Sequence, residues 1–305
     1  MNGARRLATL CGVGALLLWS TLAVLATTTG PIPPFQLTAV TFAAGGALGL
    51  AVHGARGGRA GLRRALIQPP RAWAVGVGGL FGYHVLYFAA LRRAPAAEAG
   101  LFNYLWPLLL VLGAALAPGE RLRPGHVLGA LLGFSGVGLL LGGPALDTLD
   151  ATRLTGDALA LAGAFVWAAY SLASRRFGDV PTESVSAFSL ATGLLALAVH
   201  LALEAPCWPA DAGQWAALTA LALGPAGVSF LLWDRGMKAG DLPLLAALAY
   251  GTPVASTALL VAAGRTEPSA HLLGACALIV FGAVVAGRAG RPGRSPQSSG
   301  SSTRA

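Results

Sequence analysis

The stretch LFNYLWPLL, Leu101 to Leu109, places four residues that oppose a lipid-embedded helix within an apolar background. Asn103 carries hydrogen-bonding groups that lipid cannot satisfy, and Pro107 removes a bond from the helical backbone. Tyr104 and Trp106 are residue types that prefer the membrane–water interface. All four are compatible with a transmembrane helix if they face protein or a hydrated cavity, so the stretch predicts an interior site.

The composition of the chain agrees with residence in a membrane. Of the 305 residues, 55% are hydrophobic and only 11% are charged, whereas a soluble domain has about 25% charged residues. The net charge of +9 lies in short loops and at the C-terminus, which indicates membrane topology rather than nucleic-acid binding. The three cysteines are widely separated and show no metal-ligand spacing, so we expect no metal site.

Ten segments are apolar over roughly 20 residues, the length that crosses a bilayer. The sequence therefore predicts an all-α integral membrane protein with ten transmembrane helices. Residues 288–305, rich in Arg, Ser, Gly and Pro, are predicted to form a disordered, basic, cytoplasmic tail. The ten segments are 7–27, 34–53, 72–91, 97–117, 124–142, 155–176, 182–204, 213–235, 240–262 and 268–287.

The orientation follows from the basic residues in the short loops, which concentrate on the cytoplasmic side. With the N-terminus inside, all but four of the 21 Lys and Arg residues lie in inner segments. We therefore expect both termini to be cytoplasmic in a cell (plasma or inner) membrane. The four outer residues are Arg92, Arg93, Arg153 and Arg265.

The two halves of the chain resemble each other, which predicts a repeat over residues 1–147 and a second over 148–287. Each half has five spans, an odd number, so the second half enters the membrane inverted. Inverted repeats of this kind occur in secondary transporters, with the substrate site near the midplane between the halves. The matched pairs are Trp19 with Trp167, Tyr104 with Tyr250, and Pro107 with Pro253.

Ten spans, the five-plus-five repeat, two mid-span tryptophans and the pattern Pro107…Gly119-Glu120 resemble the EamA branch of the drug/metabolite transporter superfamily. More narrowly, GYHVLYFAAL (82–91) followed by NYLWPLL (103–109) resembles the YddG-type aromatic amino-acid exporters. The resemblance implies ten helices around a central cavity and export of metabolites from the cytoplasm. The second half departs from the pattern, since Arg265-Thr266-Glu267 stands where the first has Gly119-Glu120.

Aromatic and polar residues deep in the predicted spans are the candidates for substrate binding. Trp19, Trp106 and Trp167 lie about midway along their spans, where they either pack in the interior or line a cavity. Tyr83 and Tyr87 are one helical turn apart with His84 between them, and intramembrane ionisable groups are functional candidates. The predicted substrate-binding set is Trp19, Tyr83, His84, Tyr87, Asn103, Tyr104, Trp106, Trp167, Tyr170, Tyr250 and Ser256.

Spacing adds two expectations about the backbone and two about protons. Asn103, Trp106 and Pro107 are spaced i, i+3, i+4, so they share one helix face. Pro107 and Pro253 are the predicted hinges, unless they are packing kinks without ligand contact. His84 and Glu98 are the candidates for proton coupling. The alternatives are a hydrogen-bonded packing histidine and a glutamate that stabilises a helix N-terminus.

No phosphate-binding loop, metal-ligand cluster or nucleophile elbow is present in the sequence, so we expect neither an enzyme nor a cofactor. We expect export of a small molecule by alternating access, most specifically of aromatic or other neutral amino acids. The alternative is a broader exporter of metabolites or quaternary-amine drugs, and a third hypothesis is a membrane scaffold or sensor. The expected partners are the substrate, membrane lipid and a coupling proton, without nucleic acid. Facilitated diffusion stays open, and the sequence does not indicate an oligomeric state.

Overall fold

The apolar segments form helices throughout the residues that the computed structural model describes, which are 3–115, 123–141, 150–174, 177, 179–240, 245, 248–249 and 251–289. The prediction of an all-α protein is confirmed. The helices are α1 (Gly3–Ser20), α2 (Leu22–Thr28), α3 (Pro34–Leu66), α4 (Pro70–Ala90), α5 (Ala96–Asn103), α6 (Trp106–Ala115), α7 (Pro124–Leu141), α8 (Ala151–Ser174), α9 (Ser184–Leu203), α10 (Ala212–Leu223), a π-helical turn (Gly224–Val228), α11 (Ser229–Ala239), α12 (Thr252–Ala262) and α13 (Ala270–Ala289).

Several of these helices are long and apolar enough to cross a membrane. Within the described residues six stretches meet that condition, and two shorter apolar helices accompany them. The predicted span 97–117 is divided between α5 and α6, and only part of 240–262 is described. The predicted boundary between the halves at 147 and residues 290–305 of the predicted tail lie outside the described residues. The six stretches are Gly3–Thr28, Pro34–Leu66, Pro70–Ala90, Ala151–Ala173, Ser184–Leu203 and Ala212–Ala239.

The helix is interrupted within LFNYLWPLL. Helix α5 ends at Asn103, Tyr104 and Leu105 form a turn, and α6 begins at Trp106. Pro107 therefore lies in the first turn of a new helix, where its missing N–H group costs least. The sequence predicted a kink, whereas the chain stops and restarts. Pro253 has the same position in α12, directly after the turn at Gly251.

The closest helix pairs are α3 with α9, α7 with α13, α4 with α8, and α1 with α11. In each pair one helix comes from the first half of the chain and the other from the second. The two halves are therefore interleaved and do not form separate domains. Buried side chains from both halves consequently meet in the middle of the bundle.

The two ends of the bundle differ in their charges. We call the end with Arg56, Arg64, Arg235 and Lys238 the arginine-rich end. At the opposite end, Glu98 and Arg153 join α5 to α8 by an ion pair, with Nη2 to Oε1 at 2.6 Å and Nε to Oε2 at 3.0 Å. At the same end, the carboxylate of Glu204 accepts hydrogen bonds from the backbone N–H groups of Phe35 and Gln36 at 3.1 and 3.0 Å. These bonds satisfy free N–H groups in the first turn of α3 and offset the partial positive charge of its N-terminus.

Glycines allow α3 and α9 to approach closely. A Cβ atom added to Gly46 would lie 2.7 Å from Cα of Leu190, and one added to Gly193 would lie 2.8 Å from Cα of Ala43. Both distances are shorter than any ordinary van der Waals contact, and the opposing atoms belong to backbone. Small residues at such crossings are typical of helices that pack in lipid.

Gly46→Ala is expected to lower the melting temperature of the detergent-solubilised protein, because the methyl group forces α3 and α9 apart. Overpacking of this kind costs about 1–3 kcal/mol. Gly78→Ala is the matched control, since Gly78 also lies inside a helix but has no atom within 4 Å of the added Cβ. Equal melting temperatures for both variants would contradict the close crossing.

Candidate functional site

A small cavity lies where the two halves meet, and it brings together most of the residues that the sequence singled out. We call it the central cavity. Its volume is about 20 Å³, which is enough for about one water molecule. Its lining consists of Trp19, Leu22, Tyr83, His84, Tyr87, Asn103, Tyr104, Trp106, Trp167, Phe230 and Thr252.

Trp167 is the centre of the aromatic wall of the cavity. Its ring centroid lies 5.0 Å from that of Tyr83, 5.6 Å from Trp19 and 5.9 Å from Phe230. The rings of Trp106 and Tyr170 follow at 6.4 and 5.2 Å. Distances of 4.5–7 Å between inclined rings are those of favourable aromatic contacts. The indole of Trp167 is almost completely buried, so the wall is a packed aromatic cluster.

Asn103 and Tyr83 form one polar pair in the lining. The Asn103 Nδ2 group donates a hydrogen bond of 2.9 Å to the hydroxyl of Tyr83. Asn103 Oδ1 is buried and has no hydrogen-bond partner among the described residues. The pair therefore offers an acceptor at Asn103 Oδ1 and a donor in the O–H of Tyr83.

His84 supplies a second acceptor. Its Nδ1 atom lies 2.9 Å from the carbonyl oxygen of Leu80, and a carbonyl only accepts, so Nδ1 carries the proton. Nε2 is then an acceptor, and it too lacks a partner within the described part of the chain. The ring is fully buried against Phe42, with centroids 4.4 Å apart. The hydroxyl of Thr252 is a further buried group in the lining without a partner among the described residues.

Among the residues that the structure describes, the lining of the central cavity carries no carboxylate, Lys or Arg. Groups of His, Cys, Asp and Glu able to hold a metal are likewise absent from the residues that the structure describes. An aromatic wall with unpaired acceptors and hydroxyl donors matches a ligand that has an apolar ring and both an amine and a carboxylate. Such a zwitterion has no net charge and needs no fixed counter-charge.

Eight of the predicted binding residues line the central cavity, and the others lie near it or outside the described residues. Tyr170 is placed behind Trp167, and Ser256 interacts with the hydroxyl of Tyr104. Tyr250 is outside the described residues. Pro107 and Pro253 are not among the lining residues, and both lie in the first turn of a helix. The eight are Trp19, Tyr83, His84, Tyr87, Asn103, Tyr104, Trp106 and Trp167.

Sequence reasoning missed three lining residues: Leu22, Phe230 and Thr252. The offset of 146 that relates Tyr104 to Tyr250 also relates Trp106 to Thr252 and His84 to Phe230. Extending the repeat along the chain would therefore have identified two of them. Nothing in the sequence distinguishes Leu22 from other leucines in its helix.

A larger cavity of about 380 Å³ lies between the central cavity and the arginine-rich end, and we call it the vestibule. Trp167 and Phe230 belong to the linings of both cavities and form the wall between them. Asp234 lies in the vestibule lining, bonded to the hydroxyl of Thr182 and paired with Lys238 at 2.7 Å. The vestibule is thus aromatic at its inner end and charged at its outer end.

Glu98 lies away from the central cavity, in the first turn of α5, where it pairs with Arg153. Its carboxylate receives three hydrogen bonds from that guanidinium group, at 2.6, 2.7 and 3.0 Å. Asp157, one turn further along α8, is buried, and neither of its carboxylate oxygens has a hydrogen-bond partner among the described residues. At the end of the bundle opposite the vestibule, an ion pair therefore joins the two halves of the chain.

Comparison with known proteins adds independent information. The model of the EamA-like transporter family matches the chain twice, over residues 6–142 and 154–288. A protein of Ancylobacter novellus named aromatic amino acid exporter YddG is 53% identical over 284 residues, which is 93% of this chain and 98% of that protein. The protein of the same name from Escherichia coli is 27% identical over 268 residues, 84% of this chain and 88% of its own.

A protein of known crystal structure is similar in fold as well. It has 52% sequence identity and a TM-score of 0.74, and the match covers 93% of this chain and 99% of that one. The comparison therefore extends along nearly the whole of both chains.

Proposed function

Because the chain belongs to the EamA-like transporter family, we propose that its central cavity binds aromatic and other neutral amino acids during export from the cytoplasm. The chain is a multi-pass membrane transporter and not an enzyme. The resemblance to the YddG-type exporters rested on two short stretches of sequence, and the relative from Ancylobacter novellus extends it to nearly the full chain.

The observation that carries the substrate assignment is the composition of the central cavity. The indoles of Trp167 and Trp106 provide faces and edges for an aromatic ring. The substrate ammonium group donates to Asn103 Oδ1 and His84 Nε2, which are buried acceptors of the cavity lining without partners among the described residues. The hydroxyls of Tyr83 and Thr252 donate to the carboxylate. Leaving these acceptors unpaired is costly, so occupancy by a ligand that donates to them is favoured.

Transport by alternating access is supported by the arrangement of the halves. If the two halves are inverted repeats, exchanging them converts the pair α1–α11 into α8–α4 and leaves α3–α9 and α7–α13 unchanged. These are the four closest pairs in the bundle. The family model also matches each half separately. The interruptions before Pro107 and Pro253 fall at corresponding places and serve as the hinges of the two halves.

The route follows from the cavities and the basic residues. In our proposal the arginine-rich end is cytoplasmic, as the positive charges of its loops favour. Substrate enters the vestibule there, passes Trp167 and Phe230, and reaches the central cavity. The Glu98–Arg153 pair closes the outer end until the halves rearrange. Glu98 lies outside the central cavity and pairs with Arg153, whereas His84 lines the cavity, so we assign Glu98 to closure and His84 to any proton coupling.

Trp106→Ala is expected to reduce export of phenylalanine and tryptophan from loaded proteoliposomes by about tenfold. Aromatic contacts contribute roughly 0.5–1.5 kcal/mol each, and 1.4 kcal/mol is a factor of ten. Trp208→Ala is the control, because Trp208 is 54% exposed and stacks only on Trp215 within the described residues. Unchanged export by the Trp106 variant would refute the site.

The same assay separates amino acids from cationic drugs, the alternative substrate class. Aromatic faces attract cations, but the described lining of the central cavity holds no carboxylate to balance a permanent charge. We therefore expect phenylalanine, and not a quaternary amine, to compete with labelled tryptophan. Stronger competition by the quaternary amine would assign the cavity to drug export.

His84→Gln tests proton coupling. Glutamine keeps a hydrogen-bonding side chain in the cavity, but its amide group does not take up a proton at physiological pH. If His84 is the coupling group, the variant loses uphill transport driven by a pH gradient and retains downhill exchange. Equal retention of both activities would show that transport proceeds without proton exchange at His84.

A further inference from the structure

A third opening of about 710 Å³ lies between α3 and α11 at the arginine-rich end, and we call it the lateral groove. Thr182 and Glu183 are part of its lining, and the hydroxyl of Thr182 donates to Asp234, which belongs to the lining of the vestibule. It shares no lining residue with the central cavity or the vestibule.

The deeper part of the lateral groove is apolar and faces outward. Leu48 of α3 is 51% exposed, Leu223 at the end of α10 is 46% exposed, and Val228 is 43% exposed. Leu231 and Leu232 complete this surface. Exposed leucines within membrane-crossing helices contact lipid, so hydrocarbon has direct access to the groove.

The rim of the lateral groove is basic. Arg56, Arg64 and Arg235 line it, and among the described lining residues the one carboxylate beside them is that of Glu183. None of the three guanidinium groups forms an ion pair with another described residue. His53 is held in place by a contact of 3.2 Å between its Nε2 and the hydroxyl of Ser186. With three guanidinium groups and the carboxylate of Glu183 among its described lining residues, the rim thus carries an excess of positive charge.

The dimensions of the lateral groove match one membrane leaflet. Gly45 marks the closed upper end, where a Cβ atom would lie 2.8 Å from Cα of Gly227. From Gly45 to Arg56 the distance along α3 is about 16 Å at 1.5 Å per residue. Half of the hydrocarbon core of a bilayer is about 15 Å. The arginines therefore lie at headgroup depth when the apolar part lies among the acyl chains.

Two irregular segments of the chain form this shape. The π-helical turn Gly224–Val228 contains Pro225, and such turns redirect a helix. On the other side Gly58, with φ of 54°, interrupts α3 so that the chain folds back and Gly61 approaches the carbonyl of His53. That reversal brings Arg64 beside Gly57 and next to Arg56.

We propose that the lateral groove binds one anionic phospholipid. An acyl chain lies along Leu48, Val228 and Leu231, and the phosphate diester accepts hydrogen bonds from Arg56, Arg64 and Arg235. Guanidinium groups bind phosphate in a bidentate manner, and basic pockets between helices on the cytoplasmic side suit anionic headgroups. The proposal does not depend on the transported substrate. In the orientation proposed above, the lipid comes from the cytoplasmic leaflet.

The test measures lipid retention by the purified, full-length protein. Protein in mild detergent is mixed with phosphatidylglycerol or with phosphatidylcholine of the same acyl chains, and bound lipid is counted by native mass spectrometry. Arg56→Gln/Arg64→Gln/Arg235→Gln is the test variant. The matched control is Arg59→Gln/Arg63→Gln/Arg71→Gln, which removes the same charge from exposed arginines that do not line the lateral groove.

We expect one phosphatidylglycerol to remain bound to the unaltered and control proteins. The test variant should bind it about 100-fold more weakly, at roughly fivefold per arginine. Three results would overturn the proposal: equal loss in both variants, equal retention of phosphatidylcholine, or full competition by soluble glycerol phosphate. The first indicates general surface charge, the second ordinary annular lipid, and the third a site for free phosphate.

Discussion

Trp167→Ala is expected to reduce export of aromatic amino acids by about 100-fold. The indole contacts the rings of Trp19, Tyr83, Phe230 and two further aromatic residues. Removal of the indole deletes its own proposed contact with the substrate ring and displaces neighbouring rings that it supports, and losing two or three substrate contacts of about 0.5–1.5 kcal/mol gives a decrease of this size. Trp167 also forms the wall between the central cavity and the vestibule, so its removal joins the two. Initial rates of efflux from proteoliposomes provide the measurement.

The Trp167 variant is not expected to leak passively, because in the proposed route the Glu98–Arg153 pair still closes the opposite end. Trp167→Phe keeps a ring in the wall and should retain much of the activity, which distinguishes loss of the wall from loss of folding. Trp208→Ala removes an exposed side chain that lines neither the central cavity nor the vestibule, so this variant should transport normally. Normal efflux by Trp167→Ala with an unchanged elution profile would contradict the role of the wall.

Glu98→Arg is the second substitution with a large expected effect. It places two arginines together at the closed end, and the side chains are only 17% and 11% exposed. Exposed ion pairs contribute about 0–1 kcal/mol and buried ones about 3–5 kcal/mol when one partner is removed. Because this pair is partly buried, we expect a free-energy cost between these two ranges. Such a cost shifts the equilibrium between the closed and the open state of this end by about tenfold or more. We expect a decrease of the same size in the rate of substrate export.

Restoration by exchange of charges gives the sharper result. Glu98→Arg combined with Arg153→Glu re-forms the pair with opposite polarity and should recover most of the export rate. A cysteine at Thr252, introduced after replacing the three native cysteines, reports the opening directly. An impermeant maleimide added from the Glu98 side should label it faster in Glu98→Arg than in the double variant.

Glu267→Arg is the control for these labelling experiments. Glu267 is exposed in the turn between α12 and α13 at the same end of the bundle, so the change of charge is equal. If Glu267→Arg accelerates labelling as much as Glu98→Arg does, the effect comes from surface charge and the pair does not close the protein.

Depth along a span explains why much of the cavity could be predicted from the sequence. Trp19, Trp106 and Trp167 lie too far from the interfaces for an aromatic belt, and all three line the central cavity. Asn103 and His84 have polar groups that lipid cannot satisfy, and both face the interior. The physical penalty for exposing such groups to lipid, and not helix periodicity alone, made the prediction effective.

The remaining features depend on tertiary contacts that periodicity does not encode. A proline in the sequence indicates that one backbone hydrogen bond is missing, but it does not indicate whether the helix bends or ends. The sequence therefore predicts only a kink where the structure has an interruption before Trp106. Of the three residues predicted to share a helix face, Asn103 and Trp106 both line the central cavity and Pro107 does not, because the helix ends and restarts between Asn103 and Trp106. Glu98 and Arg153 are far apart in sequence and meet only when the halves interleave. Arg153 therefore looked like an ordinary residue of an outer loop.

The small volume of the central cavity, about 20 Å³, has a consequence for how the transporter responds to concentration. A site with room for one water must expand before an amino acid fits, and the work of expansion reduces the apparent affinity. If the expanded form is populated at about 1%, the apparent dissociation constant rises about 100-fold over the intrinsic value. Flux should then increase almost linearly with internal substrate and saturate only at high levels. Such a protein exports the substrate mainly when its internal concentration is high and removes little of it at ordinary concentrations.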